Sequence, residues 1–286
     1  MCSNLKYSLL ALACVAVTAG VVLLARPRAC GPKMVWDRVL MDGSRTGVTS
    51  VAGTNYESAL GTFEDEVYVA PNGKHIEDGP VPLVAAELME VQPAMRNLKE
   101  TIGYSPEEME AEAPESALSN MLADALRAEC SRVFKVPMDV AVTNFGGIRI
   151  PMPKGDVILD DILSMFPFKN YIAYAKVKGS GLRKLFDQFA ATKVQCLSGV
   201  KLVIKDKAVV TAEVGGKPIE DNKVYNVATI DFLLDGGDRI AIGALADDVK
   251  LSDVLIKDFM LRYLRGLTAE GKNIEYHKDG RVIVEE

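Results

Sequence analysis

Residues 116–149 read SALSNMLADALRAECSRVFKVPMDVAVTNFGGIR, and the pattern changes twice within them. Leu118, Met121, Leu122, Ala125 and Leu126 recur at helical spacing as one apolar stripe, so a helix is predicted to begin at Ser116. Asp139–Thr143 is short and mostly apolar, which predicts a strand ending at a turn with two glycines, Gly146 and Gly147. Downstream, the spacing predicts a short helix over Asp160–Met165 and a strand over Tyr171–Val177. A second helix is marked by Leu182, Leu185, Phe186 and Phe189. Val200–Ile204 and Val209–Val214 read as a hairpin around Lys205–Lys207, followed by a strand at Val224–Thr229. A last helix is predicted over Leu251–Leu264 and a last strand over Arg281–Val284. Upstream, Leu83–Ile102 is rich in helix formers, interrupted at Pro93 and broken by Gly103-Tyr104-Ser105-Pro106. Helices and strands are interspersed, but βα units do not recur at regular spacing. That favours an α+β layered domain, a mixed sheet with packed helices, over a doubly wound parallel sheet. Three regions follow: an apolar helical segment over 1–30, a connector with some strand content over 31–82 (Glu66–Ala70, for example), and one domain over 83–286.

The 286 residues are 49% hydrophobic and 25% charged, which excludes disorder and collagen-like repeats. The net charge is −6, and no basic stripe exists, so a nucleic-acid polymer is not an expected partner. Only two histidines occur, His75 and His277, both in polar surroundings. Metal-dependent hydrolases and His-based general-base catalysis draw on clustered histidines, so no such centre is expected in this chain. Tyr7–Ala25 runs for nineteen residues without a charge and is followed by Arg26-Pro27-Arg28. This run predicts export of the rest of the chain, with the helix as a membrane anchor or signal. Leu10-Ala11-Leu12-Ala13-Cys14 leaves lipidation of Cys14 open. The body holds two cysteines, Cys130 and Cys196, enough for one disulfide that a domain of this size does not require.

Three glycine-bearing or aromatic loops carry the candidate chemistry. In Asn144-Phe145-Gly146-Gly147-Ile148-Arg149, two glycines allow close approach of a ligand to the backbone. Arg149 offers a planar fork for an oxyanion, and Asn144 a paired donor and acceptor. In Met165-Phe166-Pro167-Phe168-Lys169-Asn170, aromatic rings flanking a proline are suited to stacking a base, although taken alone an ordinary core pair is the more common explanation. In Asp231-Phe232-Leu233-Leu234-Asp235-Gly236-Gly237-Asp238, Phe232 and Asp238 stand six residues apart across a Gly236-Gly237 turn.

The order and spacing of these loops resemble the C-terminal domain of the 5′-nucleotidase family. That family shows an Asn-Gly-Gly-Gly-Ile-Arg loop, a Pro-Phe-x-Asn segment and a late Phe-x-x-x-Gly-Gly-Asp loop. Glu115-Ser116 with Asn120–Ala125, and Tyr225–Thr229, resemble two further family motifs, so the likeness runs from about residue 83 to the end. The resemblance implies a substrate-binding role, with Phe168 and Phe232 sandwiching a nucleobase. It implies Asp238 as the acceptor for ribose hydroxyls, Asn144 and Arg149 near ribose and phosphate, and Asn170 as a further polar contact. Gly146, Gly147, Gly236 and Gly237 shape the loops around them.

Two departures bear on that reading. Phe145 replaces the first glycine of the family loop, and Glu112 stands where the family often has an arginine. The family's metallophosphatase half, with Asp-x-His, Gly-Asn-His-Glu and Gly-His-x-His motifs, has no counterpart among these residues. No cofactor is therefore expected in this chain, and divalent metals are expected on a partner. Three functions compete. The first is the nucleoside- or nucleotide-binding component of a phosphomonoester hydrolase whose metals sit on a separate metallophosphatase subunit. The second is a stand-alone envelope protein that binds nucleosides or nucleotides without catalysis. The third is a structural envelope protein that has lost its ligand.

Overall fold

The computed structural model describes residues 46–48 and 60–285. The apolar run at 7–25, Cys14 and much of the connector lie outside the described residues. The chain divides into two compact units, Met1–Leu88 and Met89–Glu286. The described part of the first holds a three-stranded antiparallel meander, β1 (Thr62–Glu64), β2 (Val67–Val69) and β3 (His75–Ile76). It is followed by helix α1 (Pro80–Val91), which runs across the boundary between the units.

The second unit opens with strand β4 (Thr101–Ser105) and then the helix that the apolar stripe anticipates, α2 (Ala117–Phe134). Ser116 stands just outside it in extended conformation. Its hydroxyl accepts from the Ser119 amide at 3.2 Å, and the Ser119 hydroxyl accepts from the Ser116 amide at 2.9 Å. This reciprocal pair satisfies two orphan donors of the first turn. Lys135 ends the helix in the left-handed region, at φ 57°. Leu118, Met121, Leu122 and Leu126 are fully buried, each contributing about 1.5–3 kcal/mol relative to an exposed side chain.

The remaining elements are β5 (Val140–Thr143), β6 (Gly155–Ile158), α3 (Leu159–Met165), β7 (Tyr171–Lys178), α4 (Gly179–Ala191), β8 (Cys196–Ser198), β9 (Val200–Lys205), β10 (Ala208–Val214), β11 (Lys217–Pro218), β12 (Val224–Ile230), α5 (Asp231–Leu234), α6 (Ile242–Leu245), β13 (Ala246–Leu255), α7 (Ile256–Ala269) and β14 (Val282–Glu285). The main sheet has the order β13-β7-β12-β5-β8. Only β12 and β5 are parallel; the other pairs are antiparallel. Consecutive residues of β5, and most of those of β7 and β12, are buried. Neighbouring residues on a strand face opposite sides, so both faces of the sheet are covered, which is why these strands read as unbroken apolar runs. A second sheet, β11-β10-β9-β14, shows buried and accessible residues alternating along β9, as one covered face requires. Strands β4 and β6 form a separate antiparallel ribbon. The architecture is the layered α+β arrangement of mixed sheets and packed helices that the pattern implies.

Two expectations are corrected. Gly103-Tyr104-Ser105 does not break a helix: it lies in β4, paired to β6 and tied to α7 by the Thr268 hydroxyl, which donates to the Ile102 carbonyl at 2.8 Å. Leu251–Leu255 is strand, not the start of the last helix. It pairs with β7 at the edge of the main sheet, and α7 begins only at Ile256. In both places pairing with a distant segment outweighs local preference.

Candidate functional site

The topology of the main sheet gathers the candidate loops at one edge. β5 and β12 run parallel, with Val227 opposite Val140, so the loops that follow them leave from the same edge. β7 is antiparallel to β12, with Ile172 opposite Ile230, so the segment that enters β7 arrives there too. The Asp231 carboxylate fastens this corner, accepting from the Tyr171 amide at 3.1 Å and the Phe232 amide at 2.8 Å. The Arg149 amide donates to the Met165 carbonyl at 3.0 Å, locking the first loop to the second.

These loops enclose a cavity of about 270 Å³ lined by Asn144, Gly146, Gly147, Arg149, Phe168, Asn170, Phe232 and Asp238. Eight of the ten residues singled out from the sequence thus share one cavity. The other two, Gly236 and Gly237, form the turn between Phe232 and Asp238. Gly236 adopts φ 96°, a left-handed conformation that side chains disfavour. Gly237 lies against the Phe232 ring so closely that a Cβ there would sit 2.5 Å from three ring carbons.

Phe168 and Phe232 are 45% and 41% exposed, high values for aromatic rings that a core pair would hide. The Arg149 guanidinium carbon is 5.9 Å from the Phe168 ring centre, within cation–π range. Its Nη1 donates only a long bond, 3.5 Å, to the Gly146 carbonyl, which leaves most of its donors free. Asn144 is buried, and its Nδ2 donates to Asp238 Oδ2 at 2.6 Å. Its Oδ1 is buried without a protein partner and lies 3.0 Å from the position a Cβ on Gly147 would occupy. Asp238 itself adopts φ 52°, left-handed backbone that turns its carboxylate toward Asn144. The cavity therefore offers two accessible aromatic faces, one cation and one carboxylate.

The other residues of interest fall elsewhere. Glu112 is exposed and does not line this cavity. Phe145 is buried behind the first loop, its amide donating to Gln195 Oε1 at 3.3 Å. His75 lies in β3. His277 stacks on Tyr276 with ring centres 5.7 Å apart, and neither histidine lines the cavity. Cys130 and Cys196 are free and buried. Burial and the charge of Glu129 push the Cys130 thiol up to about 12, and burial also raises Cys196.

Glu115, Asn120 and Asp124 have a role that sequence reading misses. The Glu115 carboxylate accepts from Asn120 Nδ2 at 2.8 Å and from the amides of Asp279, Gly280 and Val282. Asp124 takes a two-pronged pair from Arg281, at 2.8 and 2.9 Å, with further bonds from Ser198 and from Tyr276 at 2.5 Å. Burial raises the Asp124 carboxyl, but these hydrogen bonds and the Arg281 charge outweigh it, and the group is held below its ordinary value. The N-terminal part of α2 and the residue ahead of its cap thus clasp the C-terminal segment, whose strand pairs with β9. A Glu just ahead of the helix cap, followed by an Asn and an Asp four residues apart on the helix, is the signal available in sequence.

Comparison with known proteins accords with this geometry. The family profile described as the 5′-nucleotidase C-terminal domain matches residues 97–245. The UshA protein of Yersinia enterocolitica is 37% identical over 105 residues, covering 35% of this chain and 19% of that protein. A 5′-nucleotidase of Vibrio cholerae is 28% identical over 105 residues, covering 35% and 19%. Among solved structures, a 5′-nucleotidase precursor from Thermus thermophilus superposes with a TM-score of 0.61 at 22% identity, covering 76% of this chain and 48% of that one. The Haemophilus influenzae NAD nucleotidase superposes with a TM-score of 0.53 at 17% identity, covering 77% and 48%. The chain thus matches about a fifth of the length of these curated relatives and about half of each structure. With the matched profile spanning more than half of its residues and all three loops, this chain belongs to the 5′-nucleotidase C-terminal domain family.

Proposed function

We propose that this domain binds a nucleoside or nucleotide in the cavity between Phe168 and Phe232, as the substrate-reading component of a 5′-nucleotidase-type hydrolase. The observation that carries the reading is the pair of exposed rings at one sheet edge, with a carboxylate and a guanidinium beside them. A base stacked on two aromatic faces gains roughly 1–3 kcal/mol per ring contact, with little dependence on which base it is. Asp238 accepts from the ribose hydroxyls, and its hydrogen bond from Asn144 fixes the carboxylate in place. Arg149 meets a phosphate with the donors its weak bond to Gly146 leaves free.

Hydrolysis needs a further component. The cavity holds a single carboxylate and no histidine or thiol, a donor set that does not fit the paired metal ions of a phosphomonoester hydrolase. The metal centre is supplied by a separate metallophosphatase chain, and the residues here bind and orient the substrate. The apolar run at 7–25 suits an export signal or anchor, with the domain on the outer side of the membrane.

Titration calorimetry with adenosine and adenosine 5′-monophosphate tests the binding step. Both are expected to bind, and Phe232→Ala is expected to weaken both about 5- to 150-fold, from the stacking range above. Adding a metallophosphatase chain is expected to produce phosphate release that Phe232→Ala abolishes. Wild-type protein that binds neither ligand refutes the reading. Binding without any gain of activity identifies a stand-alone binding protein.

A further inference from the structure

We infer that a second cavity, on the far side of Asp238 from the aromatic pair, is a subsite for a phosphate group carried by the bound nucleoside. The inference rests on the nucleoside reading above and extends it. The same sheet edge that gathers the three loops also receives a fourth. β8 is antiparallel to β5, with Cys196 opposite Thr143, so residues 192–195, which enter β8, arrive beside Asn144 and Phe145. Between this segment and the loop after β12 lies a cavity of about 500 Å³. It shares Gly146 and Asp238 with the aromatic cavity, so the two meet at the carboxylate.

Its chemistry differs from that of its neighbour. Lys193 and Arg239 both line it, and neither forms an ion pair among the described residues. Gln188 and Gln195 add amides. Gln188 Nε2 donates to the Arg239 carbonyl at 2.7 Å, which holds the cation-bearing turn against α4. Gln195, buried, spends its Oε1 on the Phe145 amide, while its Nε2 has only a 3.5 Å bond to the Lys193 carbonyl. Two unpaired cations and an underused amide donor make a surface for a phosphate. Phe145 and Ile240 give the cavity an apolar wall. Phe145, which stands where the family loop has a glycine, thus belongs to this second cavity and not to the base site.

A nucleoside held with its ribose on Asp238 presents its ribose edge to this cavity. A phosphate on that edge, or one linking to a second nucleoside, meets Lys193 and Arg239, whereas a free nucleoside leaves both unused. The test is calorimetric titration of the wild-type protein with adenosine, adenosine 5′-monophosphate, adenosine 3′-monophosphate and a 3′,5′-linked adenosine dinucleotide. A 3′-phosphate or the dinucleotide is expected to bind about fivefold or more tightly than adenosine, a gain of the size of one or two charge-assisted contacts. Lys193→Glu, at an exposed position where folding is not at stake, is expected to remove the gain and leave adenosine binding unchanged. Arg239→Asn, which retains access to left-handed backbone, is expected to reduce it. A gain with the 3′-monophosphate places the phosphate on the ribose edge; a gain with the dinucleotide alone places it in a linkage; a gain confined to the 5′-monophosphate belongs to Arg149 and overturns the subsite. Adenosine binding with the 3′-monophosphate and the dinucleotide both within twofold of it overturns the subsite and leaves the base site standing, as does a gain with either that Lys193→Glu does not touch. No binding by any of the four overturns both readings.

Discussion

Gly237→Ala separates the two things the last loop does, which are to fold and to hold the Phe232 ring. A methyl group at residue 237 would sit 2.5 Å from Cδ1, Cε1 and Cζ of Phe232. Carbon atoms settle at about 3.5–4.0 Å, so one of the two must move by roughly 1 Å or more. The backbone at 237 is fixed within a tight turn, where the Ile240 amide donates to the Gly237 carbonyl at 2.9 Å. The ring is 41% exposed and free to swing outward. The ring therefore yields, and one face of the aromatic pair is displaced. Little packing is lost, so thermal unfolding is expected to change by no more than about 0.5 kcal/mol, as for a surface substitution. Stacking on one ring is worth about 1–3 kcal/mol, so adenosine affinity is expected to fall about 5- to 150-fold. Calorimetric titration alongside a denaturant melt measures both. Because the substitution acts only through Phe232, the double variant with Phe232→Ala is expected to bind no worse than Phe232→Ala alone. Wild-type affinity in Gly237→Ala, or an additive loss in the double variant, refutes the reasoning.

Two further perturbations address the framework. Asp124→Ala leaves the Arg281 guanidinium, 10% exposed, paired only with Asp279, and is expected to cost stability near the lower end of the roughly 3–5 kcal/mol range for a broken buried pair. Because the Asp124, Glu129 and Asp279 carboxyls are held below their ordinary values, their contribution is fully present above those values, about 3.8 for Asp and 4.5 for Glu. It is lost as pH falls through the depressed ones. Acid melts between about pH 5 and pH 2 are expected to show wild-type stability falling steeply and Asp124→Ala falling less; parallel curves would remove Asp124 from the account. Cys130 and Cys196, both buried with raised thiols, are expected to resist a maleimide in the native protein and to react in denaturant. Rapid native labelling counted by mass spectrometry would contradict their placement.

Much of this molecule is legible in its sequence, because the signals there are local. The stripe from Leu118 to Leu126 depends only on helical spacing, and the unbroken apolar runs of β5, β7 and β12 only on burial of both faces. Phe168, Phe232 and Asp238 stand in short connecting segments whose composition and order carry the family likeness, so linear order alone is enough to propose them. The rest depends on partners far along the chain. β4, β6 and β8 are three to five residues long and owe their extended form to pairing, and the first part of the predicted last helix is strand because β7 lies beside it. Glu115, ahead of the cap of α2, and Asn120 and Asp124 on it look like ordinary polar residues until the C-terminal segment, more than 150 residues later, folds back onto them. Gln195 and Lys193 meet Phe145 only because β8 runs antiparallel to β5. Sequence by itself marks the strongly periodic helices and the doubly buried strands, and it picks out the loop residues proposed for a base site. Only tertiary structure decides that those residues face one another, because strand order and direction, which no local pattern encodes, choose the loops that share an edge.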